Sequence, residues 1–258
     1  MLRFRGAARS SWVAGDEHDR NVRHGTSYRP VAHHAGLERL RSTRAVIEHA
    51  RRRVVRGVGC ASSKQGRSYT PFVGATREPS PPWVGWDHDQ LGTWPEPDDV
   101  EADLNAHVGP SWIEEAGRCV RQRLLRPSAL PVVVGHGDWE SQNLRWVEHQ
   151  LHVVHDWDSV VGQREATVAG AASAVFTATG APNTSPSVEQ SETFLAAYAQ
   201  ARAQPWTQEE RELAWAAGLW VRVFNAKKAT LRPGGDTPSL SRLRLEAEVG
   251  ERLRRAGA

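Results

Sequence analysis

Lysine is nearly missing from this chain. Of its 258 residues only Lys64, Lys227 and Lys228 carry an ammonium, and all other side-chain cations are arginines or histidines. Cysteine is as scarce: Cys60 and Cys119 make neither a disulfide framework nor zinc-ligand spacing, so a reducing cytoplasm is the expected setting. No run of 18 apolar residues occurs, which argues against a membrane-spanning helix. The opening "MLRFRGAARSSWVAGDEHDR" has basic residues but no apolar core, so no secretory signal is expected there. Apolar residues make up 39%, low for an enzyme core but well above a disordered composition.

What is present is unevenly spread. Residues 1–80 carry 16 Lys and Arg against 6 Asp and Glu, a net +10; residues 81–258 carry 17 against 24, a net −7. Tryptophan shifts at the same place, with Trp12 before it and ten tryptophans after. Pro79, Pro81 and Pro82 punctuate that point, so two parts are expected. Residues 1–80 read as a basic, Arg-rich, poorly folded or degenerate segment, with one helix plausible around "AGLERLRSTRAVIEHARRRVV". Such charge invites a nucleic-acid reading. No interleaved aromatic pattern accompanies it, so nucleic acid is not an expected partner.

Residues 81–258 have globular texture. "DVEADLNAHVG" is a short helix candidate. "PSWIEEAGRCVRQRLLR" is a firm one, with Ser111 and Glu114 as a capping box and Ile113, Ala116, Val120 and Leu124 on one face. "PVVVGHGDW" reads as a strand entering a polar loop, and "NLRWV" and "LHVVHDW" as a hairpin. Four helices follow. The first stops at Gly180, the second opens on a Ser187/Gln190 box, the third on a Thr207/Glu210 box, and an amphipathic helix closes the chain.

The hairpin carries the chemistry. Asp138 lies just past a strand, Asn143 opens the next, and Asp156 ends the strand that pairs back. A hairpin returns its far end to its near end, so the three side chains can meet at one edge. Two oxygen ligands suit a hard Mg²⁺ ion, which keeps its phosphates and waters. A separate carboxylate can orient a hydroxyl and take its proton. Asn143 and Asp156 fit the first role and Asp138 the second; Asp158 is a further candidate metal contact or a solvated residue.

"HGDWESQN" followed by "VHDWD" resembles the aminoglycoside phosphotransferase family, relatives of the eukaryotic protein kinases. The resemblance covers residues 83–258. It implies Asp138 as catalytic base, His136 as the residue that shapes the loop, and Asn143 and Asp156 as the Mg²⁺ and ATP ligands. It implies an α+β, protein-kinase-like fold: a mainly α-helical C-terminal lobe with a catalytic β-hairpin. The N-terminal ATP lobe is expected to be truncated or degenerate. Lys64 follows "GVGCASS" without the glycine directly before it that a Walker A loop needs, and no V-A-I-K-like strand surrounds it.

The implied activity is ATP-dependent phosphorylation of a small hydroxylated molecule, such as an aminoglycoside, an amino alcohol or a sugar. The net −7 of residues 81–258 favours a cationic acceptor, and no membrane partner is expected. The alternative is a non-catalytic remnant that binds a ligand without transfer. Two further readings stand beside these: ordinary turn chemistry at Asp138, Asn143 and Asp156, and a zinc hydrolase site built from His149, His152 and His155 with His136 and the aspartates. Trp139 and Trp157 flank the cluster as candidate walls of an acceptor pocket.

Overall fold

The computed structural model describes residues 80–99, 101–147, 150–178, 185–202, 204–232 and 238–258. The expectations for residues 1–79, including the helix near 36–55 and the surroundings of Lys64, lie outside the described residues, as does Gly180. Within them the fold is mixed α+β, with five α-helices and two small antiparallel sheets.

The helical part is organised by its longest member. We label the helices α1 (Ser111–Leu124), α2 (Glu165–Val175), α3 (Val188–Ala201), α4 (Gln208–Thr230) and α5 (Leu240–Ala256). Helix α4 is apolar around most of its circumference from Leu213 to Phe224, as a helix packed on several sides must be. It lies against α1, α2 and α5. Trp220 stacks between Trp94 and Phe224, with ring centroids 5.6 and 6.5 Å away. The apolar face of α1 is buried as its periodicity predicts: Ile113, Ala116, Val120 and Leu124.

Caps explain most helix starts. Ser187 and Thr207 accept from Gln190 and Glu210, whose side chains bond back, so both expected capping boxes form. Helix α5 opens on Ser239 and closes on Gly257 at φ 62°. Three expectations are corrected. The capping box at Ser111 does not form: Pro110 is the N-cap, and Glu114 instead accepts from Gly109 N and Trp94 Nε1 and pairs with the buried Lys227. Helix α2 ends at Val175 with Phe176 as its C-cap, short of Gly180. The helix expected in "DVEADLNAHVG" is replaced by turns, because side chains there take over the backbone's bonds. Asn105 N donates to Asp103 Oδ1, and the Asn105 amide bonds both Trp94 N and Trp94 O.

The strands form one hairpin inside another. Strand β1 (Val132–His136) pairs antiparallel with β4 (Val160–Arg164), with His136 opposite Val160. Between them the chain makes the expected inner hairpin of β2 (Leu144–Val147) and β3 (Gln150–Val154). The ends of both pairs therefore meet at one place, and β4 runs directly into α2.

Candidate functional site

The junction of the two hairpins is tied by backbone bonds. Gly137 N donates to Ser159 O at 2.7 Å, and His155 N to Asn143 O at 2.8 Å. His136, only 3% exposed, fastens the same point from inside. Its Nε2 bonds His155 O at 2.9 Å and its Nδ1 accepts from Asp138 N at 3.1 Å. Trp139 and Trp157 meet the His136 ring edge-on at 5.7 and 5.4 Å. Trp139 is buried and Trp157 is half exposed, so of the two only Trp157 presents a ring surface to solvent. From the connector, Trp83 Nε1 donates to Gly137 O.

The loop's outer side is held by α2. Ser141 Oγ donates to Phe176 O and Gln142 N to Ala178 O, which satisfies carbonyls that the end of α2 leaves open.

On this frame the predicted side chains come together. Asn143 Nδ2 donates to Asp138 Oδ2 at 2.8 Å and to Asp138 O at 3.1 Å. Its amide nitrogen is thereby engaged, which leaves Oδ1 as an acceptor for a cation. Asp156 lies near enough to Asp158 and Asp138 to feel both carboxylates, and its Oδ2 accepts from Ser159 Oγ at 3.5 Å, so the three carboxylates share the junction. Asp156 sits at φ 62°, the one non-glycine residue with positive φ among those described. Backbone strain of this kind costs of order 1–3 kcal/mol and persists where the surroundings fix it. Here the Ser159 N bond to Asp156 O helps to do so.

Crowded carboxylates hold protons. Asp156 is pushed up to about 6, first by its hydrogen bond with Asp158, then by desolvation and the charges of Asp158 and Asp138. Glu140 is pushed up to about 7 by burial, with the Asp138 and Asp156 charges adding to it. Nothing in the sequence distinguishes Glu140. It stands at a variable position of the "HGDWESQN" string, and only its burial beside the cluster marks it out.

Both acids hold protons in the folded state that the unfolded chain has already released. Their stabilising contribution is therefore complete below about pH 4 and is lost as pH rises through about 6 and 7. In metal-free buffer the melting temperature of the native protein should fall, relative to the Glu140→Gln/Asp156→Asn double variant, between pH 4.5 and 7.5. Parallel melting curves for the two proteins would remove the basis for this.

Of the remaining histidine candidates, His152 and His155 have exposed side chains, and His149 is outside the described residues. Among the described residues no group of three or more His, Cys, Asp and Glu side chains is arranged to hold a metal by itself. An Asn–Asp pair completed by phosphates and water needs no such group. On the connector side, Trp83 also borders a groove of about 900 Å³ with Asp87, Asp89, Glu96 and Asp98 on its walls. No described helix is long and apolar enough to cross a membrane.

Comparison with protein-family models, curated proteins and solved structures gives no match for this chain.

Proposed function

We propose that residues 81–258 form the kinase-like C-terminal lobe of a small-molecule phosphotransferase, which moves the γ-phosphoryl group of ATP to a hydroxyl. The observation that carries this reading is the convergence of Asp138, Asn143, Asp156 and Asp158 where the nested hairpins close. Clustered carboxylate and amide oxygens are a donor set suited to a hard divalent cation. Asn143 and Asp156 would hold Mg²⁺, with Asp158 as a further contact; the ion supplies charge neutralisation of the triphosphate.

Asp138 is the proton acceptor. Its carboxylate is oriented by Asn143, and its backbone by His136. The acceptor hydroxyl gives its proton to Asp138 as its oxygen bonds to the γ-phosphorus. The bond from that phosphorus to the β-phosphate oxygen breaks, and ADP leaves. The acidic groove beside Trp83 favours an acceptor with cationic groups, an aminoglycoside or amino alcohol before a neutral sugar.

Thermal melts with and without Mg·ATP test the reading. The native protein should be stabilised with a concentration dependence that saturates, and Asp156→Ala should lose the response. No shift with any nucleotide, alongside stabilisation by an acceptor-like ligand alone, would transfer the argument to a non-catalytic binding remnant.

A further inference from the structure

Four cations are deeply buried in the described residues: Arg123, Arg222, Lys227 and Arg252. Three have carboxylates. Arg123 pairs with Glu212 at 2.8 Å, Arg252 with Glu248 at 2.8 Å, and Lys227 with Glu114. Arg222 is the exception. It is 5% exposed, its Nη1 donates to Pro186 O at 2.8 Å, and its Nη2 has no partner among the described residues. Even the Pro186 carbonyl is shared, since Arg252 Nη2 donates to it at 3.0 Å. The Glu248 carboxylate also acts on Arg222 through space, but it is held by Arg252 Nε and Nη2 at 3.1 and 2.8 Å, and a buried charge without an ion pair of its own is costly.

Arg222 lines a cavity of about 170 Å³, ample for a small ion when one water needs about 10–15 Å³. The cavity lies between α4, the loop at Glu140 and the start of α5. The side of α5 facing it is its N-terminus, with Ser239, Ser241 and Arg242 on the wall, so the positive end of a 17-residue helix adds to the guanidinium. Asn225 supplies a neutral polar group. Glu140 shares the wall, but no ion pair joins it to Arg222 among the described residues.

We propose that this cavity is a binding site for a small anion, a carboxylate or a phosphate, whose negative group pairs with the Arg222 Nη2 that has no partner among the described residues. The site needs no metal or nucleotide, and it stands or falls apart from the phosphotransferase reading. The two anion classes present the same forked acceptor to a guanidinium, and separate titrations tell them apart.

Calorimetric titration and thermal melts of the full chain, free of nucleotide and magnesium and at constant ionic strength, test it. The probes are inorganic phosphate and acetate, with glycerol as neutral control. Phosphate or acetate should bind saturably at one site and raise the melting temperature, while glycerol gives no saturable signal. Arg222→Met should weaken anion binding at least tenfold. Its own anion-free melting temperature should match or exceed that of the native protein, because an unpaired buried charge is gone. Ala229→Leu, which fills the cavity and keeps the guanidinium, should also lose the response. A native response no larger than that of Ala229→Leu overturns the proposal, and this comparison decides even if Arg222→Met does not fold. A native protein that binds neither anion, with Arg222→Met melting lower, would make the guanidinium a structural group and overturn it equally.

Discussion

Gly170→Ala is expected to destabilise the protein by at least about 3 kcal/mol, a fall of roughly 6–12 °C in melting temperature for a domain of this size. Gly170 lies in α2 where that helix crosses α4. A methyl group there would stand 2.0 Å from Ala214 O and 2.6 Å from Ala214 C and Cα. The obstacle is backbone, so no side-chain rotation relieves it and the two helix axes must separate. Gly218 faces the same crossing, its own added methyl 2.8 Å from Gly170 O. The gain in helix propensity, about 1 kcal/mol for Gly to Ala, does not offset that.

Gly250→Ala is the control of opposite sign. Gly250 is an exposed position within α5 with nothing within 4 Å of an added methyl, so the substitution should stabilise by about 0.4–1 kcal/mol. Damage at Gly170 should also reach the candidate site. The end of α2 supplies the carbonyls of Phe176 and Ala178 that hold Ser141 and Gln142. A displaced α2 therefore loosens the loop that carries Asp138 and Asn143. Equal and opposite effects at Gly170 and Gly250 are not required, but a Gly170→Ala protein as stable as the native one would mean the helices are not in contact as described.

The parts legible in the sequence were those set by local rules. The 3.6-residue period of Ile113, Ala116, Val120 and Leu124 placed α1, and paired caps at Ser187/Gln190 and Thr207/Glu210 placed two helix starts within a residue. The inner hairpin was readable because its strands alternate and lie close in sequence. Strand β4 was not, because "VVGQR" is short and its partner β1 lies on the far side of the inner hairpin. Such pairing leaves no local period. The false helix near Asn105 and the false capping box at Ser111 share a feature: the polar side chains of Asn105 and Glu114 bond residues distant in sequence, Trp94 for both and Lys227 for Glu114, which no local pattern shows.

The site shows the same division. Asp138, Asn143 and Asp156 could be named because loop and hairpin spacing brought them to one edge. Glu140 could not, because its character comes from burial against charges brought in by folding. Arg222 was hidden for a similar reason: in sequence it is one polar residue in an apolar stripe, and only the packing reveals that its Nη2 has no partner among the described residues.

Asp138→Asn is the substitution on which the phosphotransferase reading is most exposed. It is expected to lower transfer by about 10²–10⁴-fold, the range for loss of a positioned general base, with the fold and the Mg·ATP response retained. The loop does not depend on the carboxylate's charge. His136 Nδ1 holds the backbone at Asp138 N, Gly137 N is tied to Ser159 O, and Asn143 Nδ2 can still donate to the amide oxygen of an asparagine and to the backbone carbonyl at 138. What the amide cannot do is take a proton. ADP release should be followed against a panel of aminoglycosides, amino alcohols and sugars. Asp156→Ala should fail earlier, at nucleotide binding, and His136→Ala should lower the melting temperature as well, since it removes two hydrogen bonds and two edge contacts with tryptophan. That separation into a proton-transfer defect, a binding defect and a stability defect is what a base, a metal ligand and a loop anchor each require. An Asp138→Asn protein within tenfold of native turnover would take the base assignment away. Loss of the Mg·ATP response in that variant would make Asp138 another ligand of the cation.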